Sequence, residues 1–412
     1  MPPRAELEGA AADTMEVGMG RVTDRASSLV WVFVTVAAVA IGVSDAAADT
    51  CTWDGSVGSW HAGGSWSCGH EPGSGDTAII NSGTVTVTSN VTVDGLTQGG
   101  GTIDGAGDIS ITVGLTWTSD THGGTGETTL GPSATWTISG TTKYLQRDFR
   151  NEGTITWTSA SVNQPAGVTV TNVGTMDIEG DDVWGTSGSG AVLDNQGTIN
   201  KTAGNVTYID SLFQNSGSLT VSAGEFQMRT NTTITGSITS SGSGLINFYN
   251  GTHDLQASST VTGQNVSCTG SGTVTIAGTY TPVNSTFASN IYLNNGPRTL
   301  QNIDLQSRTM NGDSDLTISN QLTWSNGTIQ RTGLTTLGPA ATWTISGTTK
   351  YLNSDFRNEG SVTWTSASVN QPAGVTFTNV GTMDIEGDDV WGTSGSGAVL
   401  DNQGTINKTA GN

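Results

Sequence analysis

Residues 131–205 return as residues 338–412, displaced by 207 positions and identical at 69 of 75 of them. The six differences are Ser133/Ala340, Gln146/Asn353, Arg147/Ser354, Thr154/Ser361, Ile155/Val362 and Val170/Phe377, so apolar positions stay apolar. A long internal repeat of this kind points to a stacked array before it points to any single catalytic domain. The copy stops at Asn412, the counterpart of Asn205, and the reading implies an array that continues past that residue.

A shorter period lies inside the long one. Asn, any residue, Gly, Thr or Ser, then an apolar residue recurs at Asn151/Gly153, Asn172/Gly174, Asn195/Gly197 and Asn215/Gly217, with spacings of 21, 23 and 20. It resumes at Asn358/Gly360, Asn379/Gly381 and Asn402/Gly404. Each motif reads as a turn feeding a strand, with Gly supplying positive φ and Asn tolerating the left-handed region. The following residues alternate, as in Thr84-Val85-Thr86-Val87-Thr88, which is the period of a strand with one buried face. A unit of 20 to 23 residues is too small to bury its own apolar side and must stack on its neighbours. Identical turns one strand spacing apart, about 4.8 Å, set each Asn above the last, where the amides can bond along the axis. A leucine-rich repeat is excluded because neither its Leu-x-x-Leu-x-Leu pattern nor a helical half is present. The expected fold is all-β: a parallel β-helix, or β-solenoid.

The chain divides accordingly. Residues 1–48 read as a signal peptide: Arg21 and Arg25, the apolar run Leu29–Val43, then Ala46-Ala47-Ala48 as a small-residue cleavage site. No later run reaches spanning length, so no membrane span is expected in the mature visible chain. Residues 49–80 read as an N-terminal cap rich in Trp and Cys, with Trp53, Trp60 and Trp66 covering the open solenoid end. Cys51 and Cys68 would close it as a disulfide in an oxidising compartment, leaving Cys268 as a small buried residue. Residues 81–412 form the array, with duplicated stretches 115–205 and 322–412 and irregular rungs at 206–321. Net charge is −21, or −18 once residues 1–48, with six acidic and three basic residues, are removed. Nucleic acid is not an expected partner, because phosphate binding needs clustered Lys and Arg.

The order Trp53, Gly55, Trp60, Trp66, Pro72-Gly73, Asp76-Thr77 and Ile79-Ile80 resembles the start of secreted bacterial β-helix adhesins of the autotransporter-passenger and filamentous-haemagglutinin-like type, as do the Asn-x-Gly-Thr rungs. The resemblance implies right-handed coils, secretion or display at the bacterial cell surface, and adhesion to glycans or other cell-surface molecules.

Other motifs carry competing readings. Trp117, Trp136 and Trp157, spaced 19 and 21 apart, would align on successive rungs. They could be platforms for sugar rings, but they share strand parity with Leu115, Ile138 and Ile155, which assigns them to the core. The flanking threonines then face out, in the manner of an ice-binding face, although Thr is also an ordinary strand former. Glu179, Asp181 and Asp182, repeated as Glu386, Asp388 and Asp389, are candidate calcium ligands on Gly-containing turns; calcium is the sole cofactor entertained. Gly180-Asp181-Asp182 matches the two-carboxylate motif of polygalacturonases, but their Gly-His-Gly and Arg-Ile-Lys companions are absent. No catalytic residues are assigned, and the chain is not expected to be an enzyme. The expectation is a surface-structural or adhesion protein. The alternatives are a polysaccharide-active β-helix enzyme of the pectin-lyase-like kind and an ice-binding or carbohydrate-binding module. Irregular rungs, with Phe248, Tyr249, Tyr280 and Tyr292, are where contact loops are expected.

Overall fold

Alternation of buried and exposed residues, turn after turn, governs how this chain folds. A computed structural model describes residues 48–186, 190–392 and 397–412, all within one unit spanning Ala46–Asn412. The signal-like stretch lies outside the described residues except for Ala48. The described chain is a parallel β-solenoid of about 16 turns, whose helical structure is one short 3-10 turn at Gly63–Ser65.

Each turn contributes three strands, and each strand pairs with its counterparts one turn below and above. Three columns result. In the first, Thr135–Ile138 pairs with Thr154–Trp157, which pairs with Thr175–Ile178 and then Thr198–Lys201. The second runs through Lys143–Leu145, Val162–Asn163, Val183–Trp184 and Val206–Ile209. The third runs through Phe149–Asn151, Thr169–Asn172, Val192–Asn195 and Leu212–Asn215. Inward residues form one continuous apolar interior from Cys51 to Met383, and outward Thr, Ser and Asn meet solvent.

The recurrent Asn does what stacking predicts. Asn151, Asn172 and Asn195 each donate Nδ2–H to Oδ1 of the next Asn, at 2.6, 2.7 and 2.6 Å, ending on Asn215. The second copy repeats the ladder from Asn358 to Asn379 to Asn402, at 2.7 Å per step. Except for the exposed Asn402, these amides are buried inside the wall, where each bond replaces a lost contact with water.

The glycines two residues on have a different role from the one expected. Positive φ is found at Gly83, in an earlier occurrence of the motif at Asn81-Ser82-Gly83-Thr84, but not at Gly153, Gly174, Gly197, Gly360, Gly381 or Gly404. What these positions exclude is a Cβ: at Gly174 it would stand 2.1 Å from the carbonyl oxygen of Gly153, and at Gly381 it would stand 2.0 Å from that of Gly360. Glycine is required because one turn lies directly on the next.

The Trp alignment also needs correcting. Trp117, Trp136 and Trp157 occupy successive turns of one column and are buried, but not in register: Trp136 opposes Leu115 and Ile155, while Trp157 opposes Ile138. Trp117 and Trp136 therefore stack obliquely, with ring centres 5.6 Å apart and planes at 20°.

Irregular rungs join two columns into one strand. Ser237–Tyr249, Thr260–Thr269, Thr279–Phe287, Arg298–Leu305 and Leu316–Trp324 each run round the corner between the first and second columns.

One consequence of turn length is visible only in the pairing. Ten steps along the second column from Lys143–Leu145 lead to Thr342–Ile345. That strand copies Thr135–Ile138, which belongs to the first column. The 207-residue displacement is thus ten turns plus a third of a turn, and the second copy enters the stack one column round from the first.

Candidate functional site

The cap is a built structure. Cys51 and Cys68 are disulfide-bonded across a separation of 17 residues. Trp66 meets Trp53 and Trp60 edge-to-face at 5.1 and 5.0 Å, and all three are buried. Beside them His70 Nε2 faces Asp49 Oδ2 at 3.1 Å, while Nδ1 lies 3.0 Å from the Glu71 carbonyl oxygen. The bond to that carbonyl, then the Asp49 carboxylate, raise the His70 pKa. Asp76 receives the backbone N–H groups of Asp49 and Gly73, closing the first turn.

The carboxylates proposed for calcium lie on loops whose polar contacts run between turns. Asp181 accepts from the backbone N–H and the side chain of Asn205. In the second copy Asp388 accepts from Lys408 and the Asn412 N–H, and Asp389 from the Ala367 N–H at 2.8 Å. Glu179, Asp182 and Glu386 lie on the same two loops, and the Gly-Ser stretch that follows each loop includes residues outside the described set. Among the described residues, the acidic group whose ligand atoms converge is Asp49, His70 and Asp76 in the cap.

Several ionisable groups are displaced from their ordinary pKa by burial, and each is tied into the wall. His122, held between Gln98 Oε1 at 2.9 Å and Thr128 Oγ1 at 2.8 Å, is lowered to about 3 by burial and then by the Arg147 charge. His253 falls to about 4 through burial. Burial pushes the Cys268 thiol and the Tyr280 phenol up. Lys350, whose ammonium donates to the carbonyls of Ser325, Ser346 and Thr348, is lowered to about 8 by burial.

One buried cation escaped sequence reasoning. In the first copy Arg147 donates to the carbonyl of Gly107 at 2.7 Å and of Gly126 at 2.9 Å. Its counterpart is Ser354, yet the guanidinium is not lost. Arg331, whose counterpart is Gly124, donates to the carbonyl of Ser314, the counterpart of Gly107, at 2.5 Å. The same carbonyl is satisfied from a different turn, and single-position comparison of the copies hides this.

Three clefts with room for a ligand open on the irregular turns or where they meet the second block, and a fourth, of about 250 Å³, lies on the first block beside Thr116, Thr118 and Thr137. Thr279–Pro282 pairs with the turn below, but no register joins it to Arg298–Leu300 above. The cause is local. Asn295 and Gly296 take φ of 64° and 103°, Pro297 has no N–H to offer, and the Arg298 guanidinium bonds the carbonyls of Gly278 and Ile276 at 2.7 and 2.9 Å. A cleft of about 380 Å³ opens there, lined by Gly278, Thr279, Thr281, Pro297 and Thr299. A second cleft, about 310 Å³, follows an exposed amide ladder in which Asn284 donates to Asn265 and Asn302 donates to Asn284, each at 2.9 Å. A third, about 450 Å³, includes Tyr292, Asn311, Gln330 and Asn353. Of the aromatics expected in contact loops, Tyr292 is exposed, whereas Phe248 and Tyr280 are core and Tyr249 is half-buried.

Fold and clefts together define the class: a parallel β-solenoid with a disulfide-closed aromatic cap and a polar outer face. No family model, curated protein or solved structure matches the chain. Among the described residues no helix is long and apolar enough to cross a membrane.

Proposed function

We propose that this protein is a secreted or cell-surface structural and adhesion protein, whose solenoid presents its irregular turns to glycans or other surface molecules. The observation that carries this reading is a set of three clefts, of about 380, 310 and 450 Å³, on the irregular turns and where those turns run into the second block. Regular turns hold the position of the irregular ones, and irregular loops on a rigid scaffold are where binding concentrates. The cap disulfide and the signal-like N-terminus suit export. The resemblance to autotransporter-passenger and filamentous-haemagglutinin-like adhesins supports the same reading.

A glycan array probed with the full chain tests it: retention of surface glycans is expected, and a blank array with no adherence to intact cells would overturn it. Incubation with pectin, alginate and hyaluronan separates the polysaccharide-active alternative. Release of unsaturated or reducing ends at substantial turnover would favour the enzyme.

A further inference from the structure

The Tyr292 cleft differs from its neighbours in adding an exposed aromatic ring to a line of outward amides, one residue per turn along the solenoid axis. Register places Tyr292 beside Asn311, and Asn311 beside Gln330, one turn apart each time. Gln330 and Asn353 follow the aligned pair Ile329 and Leu352 on adjacent turns, which sets Asn353 next in line. Tyr292, Gln330 and Asn353 are exposed and Asn311 is half-buried, so an aromatic face and three carboxamides line one straight strip. Beneath the strip, Arg331 donates to the Asn311 carbonyl at 2.9 Å. Gly312 makes room for it, since a Cβ there would stand 2.3 Å from the Leu293 carbonyl oxygen and 2.5 Å from Arg331 Nη1.

We propose, resting on the glycan-binding reading above, that this strip is a subsite for an uncharged, extended, β-linked polysaccharide lying parallel to the solenoid axis. Three properties select that ligand. Successive turns are about 4.8 Å apart, close to the repeat of an extended β-linked hexose chain, so each sugar meets one rung. A carboxamide both donates and accepts, as a hydroxyl does, and an amide on each of three rungs matches a ligand that carries hydroxyls on every unit. The tyrosine ring supplies a flat amphipathic face for the apolar side of one sugar ring, with its hydroxyl at the wet edge. The chain's net charge of −21 and the adjacent Asp313 disfavour a polyanion.

Calorimetric titration of the full chain with β-1,4-linked oligomers of glucose, mannose and N-acetylglucosamine, and with polygalacturonate, tests the assignment. At least one neutral series should bind, with affinity rising up to about four units, one per rung, and levelling beyond. Tyr292→Ala should weaken that binding about tenfold or more, Gln330→Ala should weaken it less, and Tyr144→Ala, an exposed tyrosine away from the strip, should leave it unchanged. Preference for polygalacturonate would overturn the proposal, as would neutral-glycan binding unaffected by Tyr292→Ala; that second result would leave the general adhesion reading standing. Absence of glycan binding by the wild type would overturn both the subsite and the glycan arm of the adhesion reading.

Discussion

At the scale of single residues, the wall tolerates few changes because each turn touches the next. Gly174→Ala would drive a methyl group to 2.1 Å from the Gly153 carbonyl oxygen, where only backbone movement can relieve it. A loss of about 1–3 kcal/mol is expected from such overpacking, read as a lower denaturation midpoint, with exposed Thr135→Ala close to neutral as the control. His122 gives a pH signature. Its folded pKa of about 3 lies below the ordinary 6.5, so between those values the unfolded chain holds a proton that the folded chain does not. Stability contributed by the neutral ring is complete above about 6.5 and falls as pH drops towards 3, with a slope of about 1.4 kcal/mol per pH unit. His122→Ile, which installs the residue found at the corresponding Ile329, should make that acid limb shallower in unfolding curves recorded from pH 3 to 7, leaving the part due to buried His253, lowered to about 4. Burial of the Trp residues and the stacking of Asn on Asn were legible in the sequence, because both follow from strand parity and a fixed repeat. The reason for the glycines was not: steric contact between turns leaves no mark that distinguishes it from a requirement for positive φ. Nor could the sequence show Arg331 taking over the carbonyl that Arg147 serves in the first copy, since the donors sit on different turns.

Elements in this fold stand or fall with their neighbours, which makes the cap the place where the stack is closed. The Cys51–Cys68 bond closes a loop of 17 residues, and loops of that size contribute on the order of 3 kcal/mol. Cys51→Ser/Cys68→Ser, or reduction, should lower the melting temperature, and hydrogen exchange should accelerate first at Thr50–Thr52 and Val57–Ser59, the strands nearest the cap. The acidic loops belong to this scale too. Because Asp181, Asp388 and Asp389 already accept hydrogen bonds from adjacent turns, chelation is expected to leave the melting temperature unchanged; a clear drop on adding chelator, restored by calcium, would instead place an ion there. The break above Thr279–Pro282 was only half legible. An irregular segment was evident from the fading motif, but that Pro297 and Arg298 open the ladder became apparent only once the two turns were seen side by side.

The whole molecule shows why period and azimuth are separate properties. Turns here vary in length, so the sequence fixes that a block repeats without fixing which side of the stack it faces. The blocks stand about 48 Å apart at strand spacing and are offset by one column. Duplication alone would suggest a ruler with two identical marks along one edge, but the marks instead wind about the shaft like steps of a spiral stair. A flat surface lying along the rod that meets a given side chain of one copy therefore finds the twin of that side chain turned a third of the way round the shaft.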